Sequence, residues 1–168
     1  MLNNYRESYD ENDVEWGSTL YVASFINWKK TTQGVKCGLC TCGYSLYKNQ
    51  DSREKVLIHR DYLFVGEVAS TYEGEMKALL EGIERVPHEE PLTIRTTQPS
   101  IANGINRDLA LWAEHDWCTK QGTLVKCQQE WQELLQILEG RKIVALCTQE
   151  TEFTLLQQAC KALLRVYS

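Results

Sequence analysis

The sequence predicts an α/β fold. One five-stranded mixed sheet, with three antiparallel strands followed by two parallel additions, would carry helices on both faces. Three observations predict it. Three apolar, β-branched runs follow one another between Leu20 and Val68 with short polar links, the pattern of an antiparallel meander. The hydrophobic period then changes to helical spacing at Met76, Leu79, Leu80 and Ile83. From there to the C-terminus, strand-like and helix-like stretches alternate.

Each element has a local reason. Residues 1–18 are polar and acidic with little periodicity, and read as a flexible arm ahead of a single domain over 19–168. Leu20 to Ile26 is a buried strand, and Asn27 to Gly34 reads as a turn. Val35 to Tyr47 gives the second strand and Lys55 to Val68 the third, joined by the polar Lys48 to Glu54. The first long helix carries Met76, Leu79, Leu80 and Ile83 on one face, and Pro87 lies just past its end. Leu92 to Thr97 is a short strand, and Pro99 suits the first turn of the helix that follows. Leu109 to Trp117 and Gln128 to Leu138 read as helices, the second ended by Gly140. Lys142 to Cys147 is a fifth, buried strand, and Glu152 to Val166 a closing helix.

The junction at Leu92 to Ile105 is where a site is expected, because open α/β sheets bind ligands where strands end and helices begin. Its residues Thr96, Thr97 and Gln98 carry no charge.

Composition narrows the function. The chain has 168 residues, 43% apolar and 24% charged, which suits one soluble domain. A net charge of −5 disfavours a general phosphate-gripping protein. Seven scattered cysteines, an odd number, with no secretory leader imply free thiols and an intracellular location, cytoplasmic or nuclear. No apolar run is long enough to span a bilayer. Cys37, Cys40 and Cys42 offer half a zinc spacing, but no second pair follows, and they read as small buried residues. His59, His88 and His115 are dispersed, with no nucleophile in a recognisable elbow. Trp131 sits on an apolar helical face and belongs to a core; Trp112 and Trp117 read first as packing.

Several strings, in order, resemble the ribonuclease H family over about residues 19–168. Trp117 to Trp131, with Gly122 and Leu124-Val125-Lys126, is similar to the family's segment after its third helix. Leu92 to Ile105, including Gly104-Ile105, resembles its fourth strand and second helix. Thr71 to Leu80, with Glu75 before Met76, looks like the start of its first long helix. The resemblance implies two metal ions on four carboxylates, activating water against a phosphodiester. Glu75 matches one of the four. The others fall at Ser24 (or Phe25 if the register slips by one), Thr97 and Gln157, none acidic, and the family's His-bearing loop is Thr148 to Glu152 here. Hard divalent cations need charged oxygen ligands. The expectation is therefore a pseudoenzyme without cofactor, a degenerate member retained as a protein-interaction or scaffolding module. By analogy, its origin would be viral or in a retroelement. An inert binder of RNA or RNA–DNA duplex is the alternative, with Thr71, Gln98, Asn103, Trp117, Lys120 and Lys126 as contacts; an active metal-dependent ribonuclease H is the third. Glu150 or Glu152 would then have to swing in as substitute carboxylates.

Overall fold

A computed structural model describes residues 17–30, 34, 36–50 and 54–167. Its strands are β1 (Ser18–Lys30), β2 (Lys36–Asn49), β3 (Lys55–Val68), β4 (Leu92–Thr96) and β5 (Ile143–Cys147). Its α-helices are α1 (Thr71–Ile83), α2 (Pro99–Asn103), α3 (Leu109–Glu114), α4 (Gln128–Leu138) and α5 (Thr151–Tyr167). A π-helical turn, Gly104–Asp108, joins α2 to α3. The sheet order is β3-β2-β1-β4-β5. The first three strands are antiparallel, and β4 and β5 add in parallel, as the sequence predicts.

Two boundaries differ from the sequence reading. β1 runs through the expected turn to Lys30, because Trp28, Lys29 and Lys30 stay paired with Gly38, Cys37 and Lys36. Asn27 and Lys29 are exposed there, so their polarity marks a solvated strand and not a break in it. The helix expected to reach Trp117 stops at Glu114, and Asp116 and Trp117 take positive φ. The N-terminal arm lies outside the described residues through position 16, while Ser18 already pairs in β1.

Alternation along β1 divides the core. Leu20 and Val22 face α1, where they pack with Met76, Leu79 and Ile83 and with Trp131, Leu134 and Leu138 of α4. Tyr21 and Ala23 face α5 and meet Phe153 and Leu156. Trp131 is fully buried, and its Nε1 donates to the Tyr72 hydroxyl at 2.5 Å. Gly104 lies against the Trp131 ring with no room for a Cβ, so the π turn can close onto α4.

That turn also closes one sheet edge. β5 is the outer strand, and a bare edge invites pairing with other chains. The Asn106 side chain donates to the Ala145 carbonyl at 2.6 Å and accepts from the Ala145 N–H at 2.9 Å. Ala145 is the middle residue of five, so two residues at most remain on either side. The opposite edge, β3, is irregular, with register shifts in its pairing with β2 at Cys40/Thr41 and Leu46/Tyr47. Replacing Asn106 by Ala strands a buried N–H and C=O. Asn106→Ala is expected to cost about 2 kcal/mol in urea unfolding and to speed amide exchange at Ala145 selectively. Unchanged Ala145 exchange would refute this role.

Candidate functional site

β4 pairs with β1 only from Ser18 to Tyr21. Past that point the two strands part, and the polar residues of the junction gather in the opening. Ser24, on the α1 side of β1, donates from Oγ to the Thr71 carbonyl at 2.9 Å. Gly74 permits this approach, since a Cβ there would stand 2.6 Å from that of Ser24. The turn before α1 is fixed by Glu73, whose carboxylate accepts from the N–H groups of Ala69 and Ser70 at 2.7 and 3.0 Å.

Glu75 lies at the centre and is 1% exposed. Its carboxylate accepts from Thr96 Oγ1 at 2.8 Å, from the Thr97 N–H at 3.0 Å and from Thr97 Oγ1. Gln98 Nε2 donates to Thr71 Oγ1 at 2.9 Å and ties the far side of the junction to α1. Burial pushes the Glu75 pKa up, opposed by hydrogen bonds from Thr97, Thr96 and Gln98. Among the described residues no Lys, Arg or His forms an ion pair with it.

The opposite wall comes from the β5–α5 loop and the start of α5. Thr97, Thr148, Glu150, Phe153 and Gln157 line a cleft of about 620 Å³. Glu150 is tied down there. It accepts from Thr148 Oγ1 at 2.8 Å, from the Tyr21 hydroxyl at 3.1 Å and from Arg95 at 3.2 Å. Burial and the adjacent Glu150 raise the Tyr21 pKa. Lys55 donates to the Tyr21 oxygen at 2.9 Å, and burial together with Arg95 lowers the lysine's pKa. Glu152 is paired with Arg60 at 2.6 Å. Burial raises its pKa, but hydrogen bonds from Ser45, Arg60 and Tyr47 outweigh this and hold it low. Both acids that could substitute for the missing carboxylates already have partners, Glu150 in the cleft wall and Glu152 on Arg60.

The structure brings together Ser24, Glu75, Thr97, Thr71 and Gln98, and turns Gln157 toward the same cleft from α5. Lys126 stands beside this group: its Nζ donates to Ser70 Oγ at 3.0 Å and lies over the Tyr72 ring. Trp117 is half-buried against the core. Lys120 lines a separate pocket with Trp112 and His115, and Asn103 is exposed without lining the cleft. Sequence reasoning missed Cys147, Phe153 and Thr154 of the lining. The signal was present in the topology, since a parallel neighbour of β4 must end beside Thr97.

Metal binding can be tested against these donors. Among the described residues no group of three His, Cys, Asp or Glu side chains is placed to hold a metal ion. Glu75 is saturated by neutral donors, and Glu150 and Glu152 are neutralised by arginines. The residues present do not fit a two-ion carboxylate site.

No protein-family model matches the chain. A ribonuclease H of Caldicellulosiruptor saccharolyticus is 33% identical over 70 residues, covering 41% of this chain and 48% of that protein, so the match spans about half of the relative. Among solved structures, the foamy viral protease-reverse transcriptase in complex with RNA/DNA hybrid superposes with a TM-score of 0.71 at 13% identity, over 94% of this chain and 21% of that one. The solution structure of the PFV RNase H domain gives 0.67 at 14%, over 87% and 92%. LC11-RNase H1 in complex with RNA/DNA hybrid gives 0.58 at 13%, over 87% and 99%.

These likenesses bear out the fold and correct one expectation. The chain was expected to be a pseudoenzyme; its relative and its structural neighbours are named as ribonuclease H, an enzyme. The neutral donors are a departure within an enzyme fold and do not establish inactivity.

Glu75 yields a pH prediction. A carboxyl whose folded pKa is raised is favoured protonated in the folded chain. Its stabilising effect is complete below the unfolded value, about 4.3, and is lost as pH rises through the folded value. Glu75→Gln removes this loss. The variant should melt above the wild type at pH 7, by a margin that shrinks toward pH 4. A margin independent of pH would show that charge is not the cause.

Proposed function

We propose that this chain, ribonuclease H-like in fold and in part of its sequence, engages RNA–DNA hybrid at the β4–α2 junction and acts there as a ribonuclease H-type domain. The observation that carries the reading is the junction itself. On the resemblance Glu75 falls at one family carboxylate; it is bonded to Thr97, Ser24 bonds to Thr71 on the same helix, and Thr97 and Gln157 line the cleft. Neutral hydroxyls and amides are suited to sugar 2′-hydroxyls and phosphate oxygens, the groups by which A-like duplexes are recognised. Thr71, Gln98 and Lys126 extend that surface along the α1 N-terminus. Two solved neighbours in complex with RNA/DNA hybrid support the choice of ligand. The foamy viral likeness supports an origin in a viral or retroelement polymerase, and the seven unbridged thiols support an intracellular location.

A second reading, docking of a partner protein, is favoured by one observation. Val56, Leu57 and Ile58 of the β3 edge are 43%, 43% and 55% exposed.

The experiment uses a labelled RNA–DNA hybrid with the purified chain, at low and physiological salt, with Mg²⁺ or Mn²⁺. The expected result is salt-sensitive binding that prefers hybrid over duplex DNA and weakens several-fold in a Thr71→Ala, Gln98→Ala double variant. Cleaved RNA that disappears in Glu75→Gln would locate the chemistry at this junction. No binding at low salt would overturn the reading. A partner lost on Ile58→Lys would favour the second one.

A further inference from the structure

Two elements leave the cleft side by side. Beyond Tyr21, β1 has no β4 residue paired to it and continues to Lys30, with α5 lying across the same face. Phe25, Asn27 and Lys29 alternate onto that face. On α5, Gln157, Lys161 and Arg165 recur every four residues and so share one side of the helix. Gln157 belongs to the cleft lining. One and two turns on, Lys161 and Arg165 line a groove of about 190 Å³ with Phe25, Asn27 and Leu164. The Lys161 ammonium lies 5.8 Å from the Phe25 ring centroid.

The charge here runs against the chain as a whole, which is net −5. Lys29 and Lys161 are exposed and enter none of the ion pairs found among the described residues. Glu67, which accepts the Cys37 thiol at 2.8 Å, is a carboxylate at this end. Aromatic rings border the same face: Phe64 stacks on Tyr167 at 4.2 Å. Cations one helical turn apart are about 6 Å apart along the axis. That is close to the rise of two nucleotides in a stacked strand, about 7 Å.

We propose that Phe25, Asn27 and Lys29 of β1, with Lys161 and Arg165 of α5, form a track for the sugar–phosphate backbone of a single strand leaving the cleft. This rests on the hybrid-binding reading above and adds a direction to it. A strand that runs from Gln157 toward the β1–β2 hairpin meets two helical cations and one strand cation in turn. An aromatic ring at Phe25 lies where a base can rest.

The test compares a blunt RNA–DNA hybrid with the same hybrid carrying a single-stranded extension, by fluorescence anisotropy across a salt series. The wild-type chain should bind the extended form about tenfold more tightly at low salt, with a salt slope steeper by about 0.7 for each phosphate contacted. Lys29→Glu with Lys161→Glu should remove that gain and leave blunt-hybrid binding in place. The milder pair Lys29→Gln with Lys161→Gln, on exposed positions, should remove most of it with an unchanged circular dichroism spectrum. Blunt-hybrid binding with no gain from the extension, or a gain that survives both double variants, overturns the track and leaves the cleft reading standing. Failure of both forms to bind overturns both. Binding of acidic-phospholipid vesicles that is lost in the double variants, with no gain from the extension, would reassign the surface to lipid and overturn the proposal.

Discussion

The junction depends on the hydrogen bonds that Thr96 and Thr97 donate to a buried carboxylate, Glu75, with which no Lys, Arg or His pairs among the described residues. Glu75 sits in the first long helix, against the sheet, at the point where β1 and β4 separate. An ionised carboxyl there is stable only because Thr96 and Thr97 turn three donors onto it. The same bonds fix the end of β4, the start of α2 and the approach of α1. Removing the charge relieves desolvation, whereas removing the donors leaves a charge in a low-dielectric interior, which is the costlier change. The threonines are thus tied to Glu75 as strongly as Glu75 is tied to the fold.

Parallel pairing explains why the opening exists. β4 follows β1 for only four residues, so β1 and α5 project beyond the sheet's narrow end. A longer β4 would have filled the space that the cleft now takes. At the outer edges the chain limits further pairing by two different means, the Asn106 amide on β5 and register shifts along β3. The amide reaches β5 through a π turn, in which an added residue shifts the helix face by about 100°.

Most of the fold was legible because it rests on periodicity. The three-strand meander, the helical stripe from Met76 to Ile83 and the alternation after Leu92 specify the sheet and its helices. Position Thr97 was legible as the end of a strand, and Ser24 as a residue of the first strand. The extension of β1 was hidden because a solvated hairpin has the composition of a turn. The engagement of Glu150 and Glu152 was hidden for another reason. Their arginine partners Arg95 and Arg60 lie 55 and 92 residues away in the chain and meet them only across strands. The loop from Thr148 to Glu152 matched the family's His-bearing loop by position, and the pairing of Cys147 with Thr96 sets it beside Thr97.

Charge placement links the scaffold to its surface. The cleft holds carboxylates that are already satisfied, so a polyanion approaching it meets hydroxyls and amides more than open negative charge. Three further acids are paired with neighbouring cations: Glu81 with Lys77, Glu90 with Lys48 and Asp108 with Arg107. Screening reduces such distant exposed charges to little at physiological ionic strength, where the Debye length is about 8 Å. The potential felt at the cleft is therefore set by neighbours within that range, and there Lys161 stands one helical turn beyond Gln157 of the lining. A net charge of −5 is a property of the whole surface; the groove beyond the opening is lined by Lys161 and Arg165 and has a different balance.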